Sequence, residues 1–167
     1  MSGAAGSVQA QGAPDSTGSY EFMGFRPGMS GAAVDTAARL AGADSVHCEQ
    51  SHADPRLTEC RASLPNADAG RTVDLWLSSV NDTTSILTLS APLSASRLDR
   101  WREYLEGRYG TPSLRVRGAI TMAQWIHDRR MLRLTWRARG RNFEASVSMV
   151  DGRVLDAWGS GRVRSEK

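Results

Sequence analysis

A chain of 167 residues with 40% apolar and 23% charged side chains has the make-up of a single globular domain, neither disordered nor collagen-like. It contains no run of about eighteen apolar residues, so no transmembrane segment is expected. The charge is divided unevenly: residues 1–90 carry five Arg against ten acids, and residues 91–167 carry sixteen Arg or Lys against eight acids.

Such asymmetry suits a polar partner surface or nucleic acid. The Arg residues are spread through alternating strand positions rather than gathered in a tail, and no aromatic ladder of a single-strand binder accompanies them. Solvated sheet faces account for them better, and no nucleic-acid partner is expected.

Met1 to Gly18 is small and polar, with no charge before Asp15, and offers nothing to a core. Val8-Gln9-Ala10 ahead of Gln11 also matches the small-residue end of a secretory signal peptide. Residues 1–19 are therefore expected to be a disordered tail or a signal-peptide remnant. Tyr20 to Phe25 reads as a lead-in strand, and Arg26-Pro27-Gly28-Met29 as a turn. Ser30 is placed to cap a helix through Leu40, with Ala33, Val34, Ala37 and Leu40 on one face and Gly42 at the position after the C-cap.

Four strands are expected next: Ser45 to Gln50, Leu57 to Ala62, Val73 to Ser79 and Ser85 to Leu89. Val80-Asn81-Asp82-Thr83 has hairpin composition. Cys48 and Cys60 fall on the first two strands. A disulfide is the first reading, worth about 3 kcal/mol for so short a loop. Two buried thiols are the second, and a metal site with His47 and His52 the third. Adjacent His-Cys with a lone distant Cys fits structural zinc poorly, and no metal or cofactor is expected.

A second helix spans Ser94 to Tyr109, with Leu98, Trp101, Leu105 and Tyr109 as its apolar stripe and Gly110 and Pro112 as stop signals. Alternating runs then predict a four-stranded meander: Ile120 to His127, Met131 to Arg139, Phe143 to Val150, and Val154 to Trp158 after an Asp151-Gly152 turn. The order is helix then four strands, twice. The predicted fold is α+β: tandem helix-plus-four-strand units, with helices packed on one face of an antiparallel sheet. Residues 20–160 form one domain of two pseudo-repeats, 20–90 and 91–160, and residues 161–167 a C-terminal tail.

Gly24-Phe25-Arg26-Pro27-Gly28-Met29-Ser30, running into a helix, resembles the helix start of small bacterial envelope domains, namely the β-lactamase-inhibitor-protein-like fold and the small outer-membrane assembly lipoproteins. Those seven residues carry the motif, and the duplicated element order and the cysteine pair in the first unit agree with it. The resemblance implies an exported, non-catalytic protein-binding domain with helices behind a curved sheet. It transfers no individual binding residue. No lipid-attachment cysteine stands near the start, so a lipoprotein role is not expected.

Alternation puts Leu132, Leu134, Trp136 and Ala138 with Phe143, Ala145, Val147 and Met149 on the core face. Arg133, Thr135, Arg137 and Arg139 face outward with Glu144, Ser146 and Ser148. In the first half, Asp74, Trp76 and Ser78 face outward. Trp125, and Trp158 from the last strand, are expected to join that open face. Trp and Arg are the residues most enriched at binding hot spots, so the expected contact set is Trp76, Trp125, Arg133, Arg137 and Trp158. No nucleophile elbow, phosphate loop or metalloprotease motif is present, and His127 beside Asp128 is a weak base-and-orienter pair, so no enzyme is expected. The expectation is a periplasmic or otherwise extracytoplasmic interaction domain, an accessory or structural subunit docking on a protein partner, including a membrane-embedded complex. The alternative is a small-anion or lipid-headgroup binder using the Arg-rich second half.

Overall fold

A computed structural model describes residues 18–66 and 71–163. The expectations for residues 1–17 and for the last four residues lie outside the described residues. In chain order the elements are α1 (Gly31–Leu40), β1 (His47–Gln50), β2 (Leu57–Asn66), β3 (Arg71–Val80), β4 (Thr83–Leu93), α2 (Ala95–Tyr109), β5 (Leu114–Val116), β6 (Thr121–His127), β7 (Arg130–Arg139), β8 (Asn142–Asp151) and α3 (Gly152–Val163). The strands form one antiparallel sheet in the order β1-β2-β3-β4-β8-β7-β6-β5. The α+β class is as expected, with the sheet dominating. Among the described residues no helix is long and apolar enough to cross a membrane.

Three two-residue turns set the register. Asn81 and Asp82 (φ 47° and 61°) join β3 to β4, and Asp128 and Arg129 (φ 46° and 61°) join β6 to β7. Paired positive φ values mark the hairpin turn whose twist matches that of the strands, and Asn and Asp tolerate it best. Gly140 (φ 60°) turns β7 into β8.

The first of these turns also fixes α1. Asp82 Oδ1 accepts from the Gly31 N–H at 2.9 Å, while the Ser30 hydroxyl accepts from the Ala33 N–H at 3.3 Å. A carboxylate against the first N–H groups also complements the helix dipole. The apolar stripe of α1 is rotated from the expected one. Val34 and Ala38 are buried, whereas Leu40 is exposed, because the face repeats at i, i+4 and i+7 through Ala41.

One core cluster unites Val34 and Ala38 of α1, Leu98, Trp101 and Leu105 of α2, and the inward side chains of β2, β3, β4, β6, β7 and β8. Tyr20, Phe22 and Phe25 join it, though not as a strand. Phe22 and Phe25 exchange both backbone hydrogen bonds across Met23 and Gly24, which form a tight turn at positive φ. The Tyr109 hydroxyl, donating to Glu21 O (2.8 Å) and accepting from Glu21 N (2.7 Å), ties this segment to the end of α2.

Two strands run past their expected ends, at prolines. Pro92 lies on the part of β4 beyond Ser90, where no β3 partner continues and only β8 pairs with it. Pro65 similarly lies beyond the reach of β1. A proline lacks the ladder N–H and is tolerated where one side of the strand is open.

The end of the chain departs from expectation. Val154 to Trp158 is not a strand but part of α3, which also takes in 161–163 of the expected tail. Asp151 Oδ1 accepts from the Arg153 N–H (3.0 Å) and starts the helix, and Val154, Leu155 and Trp158 have helical spacing. The fourth strand of the second meander is instead β5, ahead of β6.

α3 is anchored by charge. The Arg130 and Asp151 side chains are 10% and 8% exposed and pair at 3.2 Å, and Arg153 adds a second guanidinium to Asp151. Arg129 pairs with Asp156 from the turn. Removing one member of a buried ion pair strands the other. Asp151→Ala should therefore lower unfolding stability by about 3–5 kcal/mol in urea titrations, and Asp151→Asn, which keeps the helix cap, by less.

Candidate binding face

Opposite the core, the sheet presents an open face whose composition follows from its register. One row crosses all eight strands through directly opposed pairs: His47, Arg61, Trp76, Thr88, Ser148, Arg133, Gln124 and Leu114. The neighbouring row runs Ser63, Asp74, Ser90, Ser146, Thr135, Met122 and Val116. The centre of the face is therefore small hydroxyls, joined across strands by Thr88–Ser148 (2.9 Å) and Thr135–Ser146 (2.8 Å). Short side chains there leave two shallow grooves of about 680 and 480 Å3, which share Asp74 and Ser90. Arg61 and Trp76 border the first, and Trp136, Arg137 and Glu144 the second.

Three of the five expected contact residues lie on this surface. Trp76 is half-buried on the outer face, between Arg61 and Thr88, and its indole N–H has no hydrogen-bond partner among the described residues. Arg133 stands in the same row, three strand spacings or about 14 Å away. Its Nε and Nη2 both donate to Gln124 Oε1, at 2.9 and 2.7 Å, so the guanidinium is held towards the neighbouring strand. Arg137 shares the face but is committed to Glu144, which also binds Arg139. Hydrogen bonds from Arg137 first, and then Arg139, hold the Glu144 carboxyl below its ordinary range.

The other two lie elsewhere. Trp125 is 3% exposed and belongs to the core, opposite Leu132, with its Nε1 donating to Gly110 O at 2.8 Å. The core face of β6 carries Ala123 and Trp125, and Gln124 takes the outward place, one residue out of phase with expectation. Trp158 sits on α3, half-buried, and donates its indole N–H to Asp54 Oδ2 in the β1–β2 loop at 3.0 Å. The Asp54 carboxylate also takes two hydrogen bonds from the Arg56 guanidinium. These, the Arg56 contribution first and Trp158 next, hold it well below the usual carboxylate range.

Sequence reasoning put Ser148 on the outward face but missed Arg61, Thr88 and Gln124. Alternation marks Arg61 and Thr88 as outward and the opposite phase was expected for Gln124; only the register puts all of them in one row with Trp76 and Arg133.

Cys48 and Cys60 are directly opposed in β1 and β2 and form a disulfide, which removes both thiols from the metal-site reading. Among the described residues no group of His, Cys, Asp and Glu is arranged to hold a metal. Among the described residues His127 has no hydrogen-bond partner, and Asp128 points instead to Arg153 and Arg130. A third hollow of about 650 Å3, between Tyr20 and the end of α2, has His127 on its rim beside Glu106, which pairs with Arg115. Much of the Arg-rich second half is likewise engaged: Arg115, Arg129, Arg130, Arg137, Arg139 and Arg153 all pair with carboxylates. No protein-family model, curated protein or solved structure matches this chain.

Two outcomes check these placements. Trp125→Ala should cost about 3–5 kcal/mol of stability in chemical denaturation, whereas Trp76→Ala should leave the midpoint within the range of ordinary surface substitutions. A depressed carboxyl stabilises above its unfolded pKa and loses that contribution as pH falls. The denaturation midpoint should therefore begin to fall as pH drops below about 4, the range in which the unfolded chain takes up the proton that folded Asp54 still refuses, and Asp54→Asn should flatten that dependence.

Proposed function

We propose that this chain is an extracytoplasmic, non-enzymatic protein-interaction domain, an accessory or structural subunit that docks its open sheet face on a larger envelope or membrane complex. The observation that carries the reading is the row through Trp76 and Arg133. A half-buried indole whose N–H has no partner among the described residues and a guanidinium oriented by Gln124 flank a shallow floor of hydroxyls. Rigid aromatic and Arg anchors around small side chains suit a broad protein contact better than a small ligand, which favours an enclosed pocket.

The same reading takes the fold as two helix-plus-four-strand units, with α1 and α2 behind the sheet. The element order supports it, as do the meeting of β4 and β8, the last strand of each half, at the centre of the sheet and the placement of both helix starts after a serine. The likeness of Gly24–Ser30 to the helix start of β-lactamase-inhibitor-protein-like domains points the same way. The disulfide fits an oxidising compartment and favours the periplasm over the cytoplasm.

The experiment is a gentle pull-down of the untagged, oxidised protein from its native envelope fraction, repeated with Trp76→Ala and Arg133→Ala. A stoichiometric partner whose recovery drops at least tenfold with either variant, at unchanged melting temperature, is the expected result. Equal recovery with both variants, or release of the protein alone with reduced thiols, overturns the reading.

A further inference from the structure

The two free edges of the sheet are built differently. β1 shows His47 and Glu49 on its outer face, with Glu49 directly opposite Glu59, and is stapled to β2 by the disulfide. β5 pairs with β6 on one side and with no described strand on the other. Its Leu114 and Val116 oppose Gln124 and Met122, and Ile126 continues that face of β6. Leu114, Val116, Ile120 and Ile126 are 45%, 42%, 54% and 55% exposed, so four of the six exposed large apolar side chains among the described residues crowd into this one edge. Clustered exposed aliphatics on a sheet edge mark a contact surface or an aggregation hazard.

Between and beyond them stand Arg115 and Arg117. Arg115 pairs with Glu106 at 3.0 Å, and Arg117 is exposed with no ion-pair partner among the described residues. The edge thus alternates aliphatic and basic positions with period two. An incoming strand lies about 4.8 Å away and sets its own alternate side chains beside these.

We propose that the β5 edge receives an extended segment of a partner protein in which apolar and acidic residues alternate, added to the sheet as a ninth strand. Its apolar side chains cover Leu114 and Val116, its carboxylates meet Arg117 beside the Arg115–Glu106 pair, and its backbone takes the open hydrogen-bonding groups of β5. This is independent of docking through Trp76, which lies five strand spacings, or about 24 Å, away.

The test uses the intact oxidised protein and a labelled nine-residue peptide alternating valine and glutamate, with a valine–lysine peptide as its counterpart. Fluorescence anisotropy reads binding, and sedimentation reads the oligomeric state. Saturable binding of the glutamate peptide, at least tenfold tighter than the lysine peptide, is expected. Arg117→Glu should reverse that preference, Leu114→Lys should weaken binding at least tenfold, and Trp76→Ala should leave it unchanged. If Leu114→Lys fails to fold, Arg117→Glu alone decides, since it alters an exposed side chain that has no ion-pair partner among the described residues. No saturable binding, or binding indifferent to Arg117→Glu, overturns the proposal. So does a dimer that Leu114→Lys dissolves, which would give the edge to a second copy of this chain.

Discussion

β4 pairs with β8 along eight opposed positions, from Ile86↔Val150 to Leu93↔Phe143, and this pairing decides what every other part of the sheet can do. On its inner side it brings Leu87, Leu89 and Ala91 against Met149, Val147 and Ala145, the middle of the core. On its outer side it brings Thr88 against Ser148 and Ser90 against Ser146, the floor of the open face. A slip of one residue would turn leucines to solvent and hydroxyls to the core, so the hydrophobic pattern fixes the joint. The row that carries Trp76 in one half to Arg133 in the other exists only because this one register is kept.

Local rules with one competing solution were legible in the sequence. The Ser30 and Ser94 helix starts, the Gly42 and Gly110 ends, the Asn81-Asp82 turn and the inward parity of β3, β7 and β8 are each set by residues within a few positions of one another. What failed depended on partners remote in sequence. Val154 to Trp158 satisfies strand alternation about as well as helical spacing, and the Asp151 ion pairs with Arg130 and Arg153 decide for the helix. Trp125 has an ambiguous parity in a short strand, and Leu132 across the hairpin settles it. β5 is three residues long and carries two aliphatics and an Arg, too brief a pattern to detect. Of the candidate face, the outward identity of Trp76 and Arg133 could be read in advance, but not their alignment.

The charge imbalance between the halves carries less meaning than its size suggests. A guanidinium paired with a carboxylate contributes little long-range field, and the strongest pairs here are local: Arg130 with Asp151, Arg137 and Arg139 with Glu144, Arg56 with Asp54. Several serve architecture, since the cluster of Asp128, Arg129, Arg130, Asp151, Arg153 and Asp156 pins α3 to the β6–β7 turn. Gly152 belongs to that arrangement: a Cβ there would stand 2.7 Å from the Arg129 carbonyl oxygen, so only glycine lets the helix leave β8 so close to the turn. The middle of the helix is then caught by Asp54 through Trp158. The tryptophan that sequence reasoning assigned to a partner is occupied in holding the chain's own last helix.

An open antiparallel sheet of eight strands has two edges to protect, and the means differ in ways that bear on function. At β1 the protection is complete in kind: like charges face each other across Glu49 and Glu59, and the disulfide fixes the strand to its neighbour. At β5 the strand is kept short, carries Arg115 and is followed by Arg117, and shortness and charge both discourage indiscriminate strand addition. Shortness and charge alone would have been served as well by polar residues at 114 and 116. Leaving two branched aliphatics there, continuous with Met122 and Ile126 on the next strand, costs solubility and does nothing for the core, from which all of them point away. Charge that repels a second basic edge, beside apolar surface that rewards cover, selects for an acidic partner instead of a copy of the chain itself.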